Sequence, residues 1–308
     1  MPNTPPTIHS ATAGLVVILA THNGSSVLDR TLAGYAKATT PAMPWQLVVV
    51  DNASTDDTPQ VLTGWQDKLP LTVIKEATPG KNRALNKAID TIGCEGALYI
   101  FTDDDAIPDP DFLCNWETAF NSHPEARLWG GWVSPVFLEQ RPAWLEGFES
   151  KFPEIYAINQ RDDATILASE IFGPNMAVHG EMLRKGYRFN ETIGPNSSQK
   201  NYPMGSETEF CTRTASALPA DSVRFASSAR VGHQVRPTQM TPEFVAARAY
   251  RHGRGYAMQR HMEGAIHSRL MTWLVASVWR MAAAISHRPT LIWQYHWAQG
   301  YRDFYING

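Results

Sequence analysis

The sequence predicts an α/β protein whose Rossmann-like, mostly parallel sheet carries helices on both faces, and three observations predict it. Four short apolar runs, LVVILA (15–20), QLVVV (46–50), LTVI (71–74) and ALYIF (97–101), are rich in β-branched or aromatic residues. Their apolar character is continuous, as expected of strands buried on both faces. Between successive runs lies a helical stretch of the length a parallel crossover needs.

Taken in order, LVVILA ends at the polar THNGSS, and a helix is expected over roughly 25–38, stopping near Pro41. QLVVV is closed by DNASTDDT, where Asp56 or Asp57 can cap a helix running to about 67. LTVI follows, PGKNRALNKAID opens the next helix, and ALYIF runs into FTDDDAIPDP. Beyond residue 125 the rhythm loosens. LWGGWVSPVF (128–137) reads as a strand, and 140–165 is rich in aromatics and prolines. EIFGPNMAVHGEMLRKG (170–186) reads as strand then helix, GSETEFCTRTASA (205–217) begins a helix, and SVRFASSARVGH (222–233) reads as short strands. TPEFVAARAYRHGRGYAM (241–258) is helical, with Thr241 as cap, Pro242 in the first turn and Glu243 behind it. The glycines at 253 and 255 are expected at a helix end.

With 308 residues, 43% hydrophobic and 19% charged, the chain can bury a large core, and disordered and collagen-like classes are excluded. A net charge of −3 gives no reason to expect nucleic acid as a partner, so phosphate chemistry must come from a local site. Cys94, Cys114 and Cys211 are widely spaced, which argues against a disulfide framework or zinc site and suits a reducing cytosol. Residues 1–13 lack the basic start and apolar run of a secretory signal and are expected to form a mobile tail.

The polar clusters Thr21-His22-Asn23, Asp51-Asn52 and Asp103-Asp104-Asp105 all fall at strand carboxyl ends, where ligands of parallel sheets bind. The three consecutive aspartates need explaining. At about 5 Å and an effective dielectric of about 20, each like-charge pair costs on the order of 3 kcal/mol. Helix capping needs one carboxylate, and Pro108 and Pro110 delay the next helix to near Asp111. A divalent cation, which takes carboxylate oxygens and substrate phosphates together, accounts for the cluster better.

The ordered set ATHN, VVVDNASTDDT, PGKNRALNKAI, FTDDDAIPDPDFL, GSETEF and a later histidine resembles glycosyltransferase family 2, over approximately residues 14–255. The resemblance implies the GT-A fold. The nucleotide-binding half would span about 14–125, the acceptor-binding half about 126–255, and a C-terminal helical extension 256–308. It implies that Asp51 hydrogen-bonds the nucleobase and that Thr21, His22, Asn23 and Asn52 touch the nucleoside. Lys81 and Arg83 would meet the nucleotide or its phosphates at a helix start. Asp103 and Asp104 would face the ribose or the metal shell, and Asp105 would bind Mn2+ or Mg2+ bridging the diphosphate, with His233 either completing the coordination or contacting the diphosphate. Glu207 stands where the family has its catalytic base, Ser206 replaces an acid there, and Glu209 reads as a supporting acid. Each has a blander reading. Asp51 can be a helix cap, Glu207 a first-turn acid that complements the helix dipole, Lys81 and Arg83 solvated surface, and His233 structural. Arg248, Arg251, His252 and Arg254 either gate the nucleotide or form a solvated helix face.

The expected activity is transfer of one sugar, with inversion, from a UDP- or GDP-sugar to a glycan or lipid-linked hydroxyl acceptor. The family's processive members carry Q-x-x-R-W and several membrane spans, neither of which occurs here. The stretch 270–286 is apolar but broken by Arg280. With Arg269 and four tryptophans (Trp273, Trp279, Trp293, Trp297), it could dock on a membrane, on the catalytic domain or on a second subunit. Localisation is expected to be cytoplasmic, with the inner face of the membrane as one option. Two other functions compete. A nucleotidyltransferase would want a basic, glycine-rich loop after the first strand, which THNGSS is not. A non-catalytic sugar or nucleotide binder would make the acids relics.

Overall fold

The computed structural model describes residues 14–93, 96–264 and 288–307. The expected tail over 1–13 and the whole apolar 270–286 stretch, with Arg269, Trp273, Trp279 and Arg280, lie outside the described residues. The four runs form β1 (Leu15–Thr21), β2 (Trp45–Asn52), β3 (Leu71–Glu76) and β4 (Leu98–Asp103), all parallel, in the spatial order β3-β2-β1-β4. Between them run α1 (Ser25–Lys37), α2 (Thr58–Trp65) and α3 (Lys81–Ile92).

Period-two geometry divides each strand between two cores. Leu15, Val17, Leu19, Leu47, Val49, Leu98 and Ile100 pack on one face, together with Leu28 and Leu32 of α1 and Leu62 of α2. Val16, Ile18, Val48, Val50, Tyr99 and Phe101 pack on the other, against Leu85 and Ile89 of α3. Both faces are dry, so the runs had to be apolar throughout.

Beyond β4 the pairing turns mixed. The short β5 (Ala106–Pro108) and α4 (Phe112–Ser122) lead to β6 (Leu128–Phe137), the four-residue α5 (Phe148–Lys151) and a two-residue β7 (Ala164–Thr165). Then come β8 (Asn175–His179), α6 (Gly180–Arg184), α7 (Ser206–Ala215) and β9 (Val223–Val235). The sheet continues from β4 as β8-β6-β9-β5, with β7 also on β9. β8 is antiparallel to both β4 and β6, whereas β6 and β9 are parallel. The segment read as short strands is therefore one long strand, whose register against β6 shifts between Gly131 and Trp132.

α8 (Pro242–Met262) and α9 (Pro289–Asn307) complete the described chain. Thr241 accepts from the Phe244 amide at 3.2 Å, the expected cap. The aromatics of 140–165 mostly pack here: Phe148, Tyr156, Val245 and Trp293 belong to one buried cluster. Gly253 and Gly255 lie inside α8, not at its end, and the chain is helical on both sides of residue 255. Both are there for close approach. A Cβ on Gly253 would collide with the Trp297 carbonyl of α9, one on Gly300 with the Tyr250 carbonyl, and one on Gly255 with the Met204 carbonyl. Backbone cannot move aside cheaply. Gly253→Ala is expected to cost about 1–3 kcal/mol, the usual range for overpacking, read as a lower urea midpoint at unchanged m-value. An unchanged midpoint would show that the two helices do not hold each other as described.

Candidate active site

The strand order turns between β1 and β4, and the crevice beyond their carboxyl ends is where a parallel sheet offers a site. The register aligns Thr21 with Asp51 and Ala20 with Asp103, so three polar clusters reach the same rim. A cavity of about 480 Å³ opens there, lined by Thr21, His22, Asn52, Lys81, the three aspartates, Glu207 and His233.

The aspartate turn is held from several sides. Thr21 Oγ1 donates to Asp104 Oδ2 at 2.5 Å, and Thr31 donates to the Asp104 carbonyl at 2.8 Å. The Gln234 amide donates to the Asp105 carbonyl at 2.8 Å, and β5 pairs antiparallel with β9 so that Ala106 faces His233. That pairing brings His233 Nε2 to 3.2 Å from Asp105 Oδ1. The other ring nitrogen, Nδ1, donates to the Tyr156 carbonyl at 2.7 Å, which fixes the ring and leaves Nε2 for the cavity. Arg236 Nη2 lies 3.7 Å from Asp105 Oδ2.

Opposite these groups, Lys81 Nζ lies 2.6 Å from Asp103 Oδ1 and 3.0 Å from Glu207 Oε1. Asn52 is the reason Lys81 sits there. Its amide donates to the carbonyls of Glu76 and Thr78, and its oxygen accepts from the Gly80 amide at 2.8 Å, shaping the loop that starts α3. Gly80 has φ 145°, a conformation that suits glycine. Glu207 enters from the first turn of α7, its second oxygen accepting from Ser206 Oγ at 2.9 Å. The carboxylate lies flat on Gly173, where a Cβ would overlap it.

Charge sets the protonation of this cluster. Burial pushes the Glu207 carboxyl up, but the Lys81 ammonium and the hydrogen bonds outweigh it, so the group sits below the usual carboxylate range. Burial likewise opposes the Lys81 charge, and the two carboxylates overcome it. Asp105, raised by burial, is brought below its ordinary value mainly by His233, and His233 is raised in turn by Asp105 against its own burial. Asp104 makes no ion pair among the described residues. Burial and the neighbouring Asp105 charge lift it to about 7.

Asp103, Asp105 and His233 present ligand atoms within 4.8 Å of one another. Two carboxylates and one imidazole suit a divalent cation of the Mn2+ or Mg2+ kind, so the residues fit the metal that the resemblance implies. Three other residues stand apart from the cavity wall. Asp51 is buried and accepts from the Ser54 amide at 3.2 Å, and Asn23, with φ 53°, accepts from the Thr55 amide at 2.8 Å. Arg83 pairs with Glu191 at 2.8 Å on the outside of α3. Glu209, buried on α7, pairs with Arg213. His22 Nδ1 donates to the Asn52 carbonyl at 2.7 Å, tying β1 to β2. Arg236, Tyr202 and Gly173 join the wall without any motif to mark them. Only a cation three residues after His233 hinted at the first. Of the two capping candidates, Asp56 serves α2 through bonds from Thr58, while Asp57 makes no such bond.

This strand order with an acid-lined crevice defines the class of GT-A folds. A family model described as Glycosyl transferase family 2 matches residues 16–186, more than half of the chain, and the chain belongs to that family. A curated relative, poly(ribitol-phosphate) β-N-acetylglucosaminyltransferase TarS of Staphylococcus aureus, is 28% identical over 162 residues, which are 51% of this chain and 27% of that protein. The chain thus spans about a quarter of that relative's length. The structure of S. aureus TarS residues 1–349 with UDP is 16% identical, with TM-score 0.56 over 96% of this chain and 92% of that one. A mannosyltransferase from Pyrobaculum calidifontis, in complex with GDP-Man and Mn2+, is 19% identical, with TM-score 0.53 over 94% and 69%.

Proposed function

We propose that the protein is an inverting, divalent-cation-dependent glycosyltransferase that moves one sugar from a UDP- or GDP-sugar to a hydroxyl of a glycan or lipid-linked acceptor. One observation carries this reading. The Asp103–Asp105–His233 cluster and an ionised Glu207 line a single cavity at the carboxyl ends of parallel strands.

In this reading Asp103, Asp105 and His233 hold the cation. Mn2+ is the better fit, because an imidazole joins the carboxylates. The cation's contribution is Lewis-acid neutralisation of the charge that grows on the departing nucleoside diphosphate. Thr21, His22 and Asn52, which line the cavity, touch the nucleoside in this reading, and Asp51 hydrogen-bonds the nucleobase. Glu207 accepts the proton of the acceptor hydroxyl. That oxygen bonds to the anomeric carbon on the face opposite the diphosphate, whose bond to the same carbon breaks. An α-linked donor then yields a β-linked product. Among the described residues no helix is long and apolar enough to cross a membrane. Any membrane or subunit contact would fall to the C-terminal helices.

A thermal-shift series with UDP, GDP and ADP, each with and without Mn2+, tests the reading. UDP or GDP is expected to raise the melting temperature by several degrees, and only when Mn2+ is present. No shift with any of them would sink it.

A further inference from the structure

The acids at the rim have local counter-charges: Lys81 for Asp103 and Glu207, and His233 and Arg236 for Asp105. Across the same cavity stand two arginines that make no ion pair among the described residues. Arg248 and Arg251 are three residues apart on α8, so they share a face of that helix, and both line the cavity. Among the described residues Arg248 hydrogen-bonds the Glu154 carbonyl alone, at 3.3 and 3.4 Å. Arg251 lies over the Tyr202 ring at 5.0 Å, and its Nε is buried with no acceptor among the described residues. Glu154, whose carboxyl feels Arg248, is nevertheless pushed up by burial, and its Oε2 has no hydrogen-bond partner among the described residues. Burial and the nearby Arg251 charge also weaken the proton affinity of Arg248. Two neighbouring half-buried guanidiniums without an ion-pair partner are costly. The protein nevertheless holds them firmly. Gly255 lets α8 lie directly on the Met204 backbone, and the Met204 amide donates to the Arg251 carbonyl at 3.2 Å.

We propose that Arg248 and Arg251 form a binding site for a phosphate group carried by the acceptor. Two guanidinium forks offer more donors than a carboxylate can take, and a phosphate has the oxygens to accept from both. Their placement assigns the ligand to the acceptor. The donor half of the crevice is built from β1, β2, β4 and the start of α3, whereas the arginines come from α8, with Arg251 over the Tyr202 ring. His252, on the same helix, is kept neutral by burial and by Arg248, with a pKa lowered to about 4. Its Nδ1 accepts from Trp297 Nε1 at 3.0 Å, so its Nε2 carries the proton and adds an uncharged donor to the same wall. The assignment to the acceptor rests on Glu207 being the base for the acceptor hydroxyl.

Glycerol phosphate and glycerol make a matched pair of probes, both with hydroxyls and differing only in the phosphate. Calorimetric titration is carried out on the full chain saturated with nucleoside diphosphate and Mn2+. Glycerol phosphate is expected to bind and glycerol to give no heat. Arg251→Gln and Arg248→Gln are each expected to weaken glycerol phosphate at least about tenfold, with nucleoside diphosphate affinity kept within about twofold. Arg251→Lys, which keeps the charge and loses the fork, should fall between. Absence of glycerol phosphate binding to the wild-type protein overturns the proposal, as does equal binding to the variants. Parallel loss of nucleotide affinity in the glutamine variants would give the arginines to the donor and also overturns it. Should the wild-type protein bind no nucleotide, the sugar-nucleotide reading fails separately. Glycerol phosphate titrated alone still reports whether the arginines hold phosphate.

Discussion

Glu207→Gln is expected to lower turnover by about 10²–10⁴-fold, the usual worth of a positioned general base, while nucleoside diphosphate affinity stays within about twofold. The substitution keeps the shape of the side chain and its contact with Ser206, and removes only the charge and the basicity. Lys81 retains Asp103 as a partner, so no cation is left unpaired. The measurement is initial rate with a competent donor and acceptor, beside calorimetric titration of the nucleotide. Turnover within about threefold of wild type would remove Glu207 as the base. Lys81→Met sharpens the test through pH. In the native protein Lys81 holds the Glu207 carboxyl below its ordinary value, against burial that would raise it. Without Lys81 only the smaller effects of the α7 backbone and Ser206 hydrogen bonds oppose burial, so the acidic limb of the kcat/KM profile should move to higher pH. An unmoved limb would mean that some other group sets it.

The parallel half of the sheet was legible because strands covered on both faces leave runs that no other element imitates at that length. β1 to β4 appear within one or two residues of the runs read as strands. The acid cluster was legible for a similar reason, since three carboxylates on one turn demand a partner. What surrounds the acids was not. Lys81 meets Glu207 across 126 residues of sequence, and nothing near either one announces the other. Lys81 and Arg83 read alike as basic residues at a helix start, yet residues two apart do not share a helix face. One enters the cavity and the other pairs with Glu191 outside it. Gly253 and Gly255 looked like a helix end because glycine weakens helices. The gain that offsets this, contact with another backbone, is a tertiary property. His233 reached Asp105 through the pairing of β5 with β9, and a three-residue strand carries too little pattern to be read in advance.

Asp105→Ala is expected to abolish the Mn2+-dependent part of nucleotide binding, and pH gives that loss a signature. In the cation-free protein His233 is raised by Asp105, so it holds a proton in the range where a free histidine loses one. The stability from this pair is fully present below the unfolded histidine value of about 6.5 and is lost as pH rises through the folded one. Asp104 acts in the same direction. Its folded value, about 7, lies above its ordinary 3.8, so the folded state binds more protons than the unfolded chain between those values. Stability therefore declines across that window as the carboxylate is forced to ionise beside Asp105. Asp105, held low, is ionised throughout and does not reverse the trend. The melting temperature without metal should thus fall between pH 6 and 8. Manganese changes the sign of the competition, because the cation must displace the proton from His233 Nε2. Its affinity should therefore tighten with pH, by at most about tenfold per unit for each proton released. The gap between melting curves with and without Mn2+ is expected to widen from pH 6 to 8 in the wild-type protein and to close in Asp105→Ala. A gap that is constant with pH, or that survives the substitution, would place any bound cation elsewhere than on the aspartate turn.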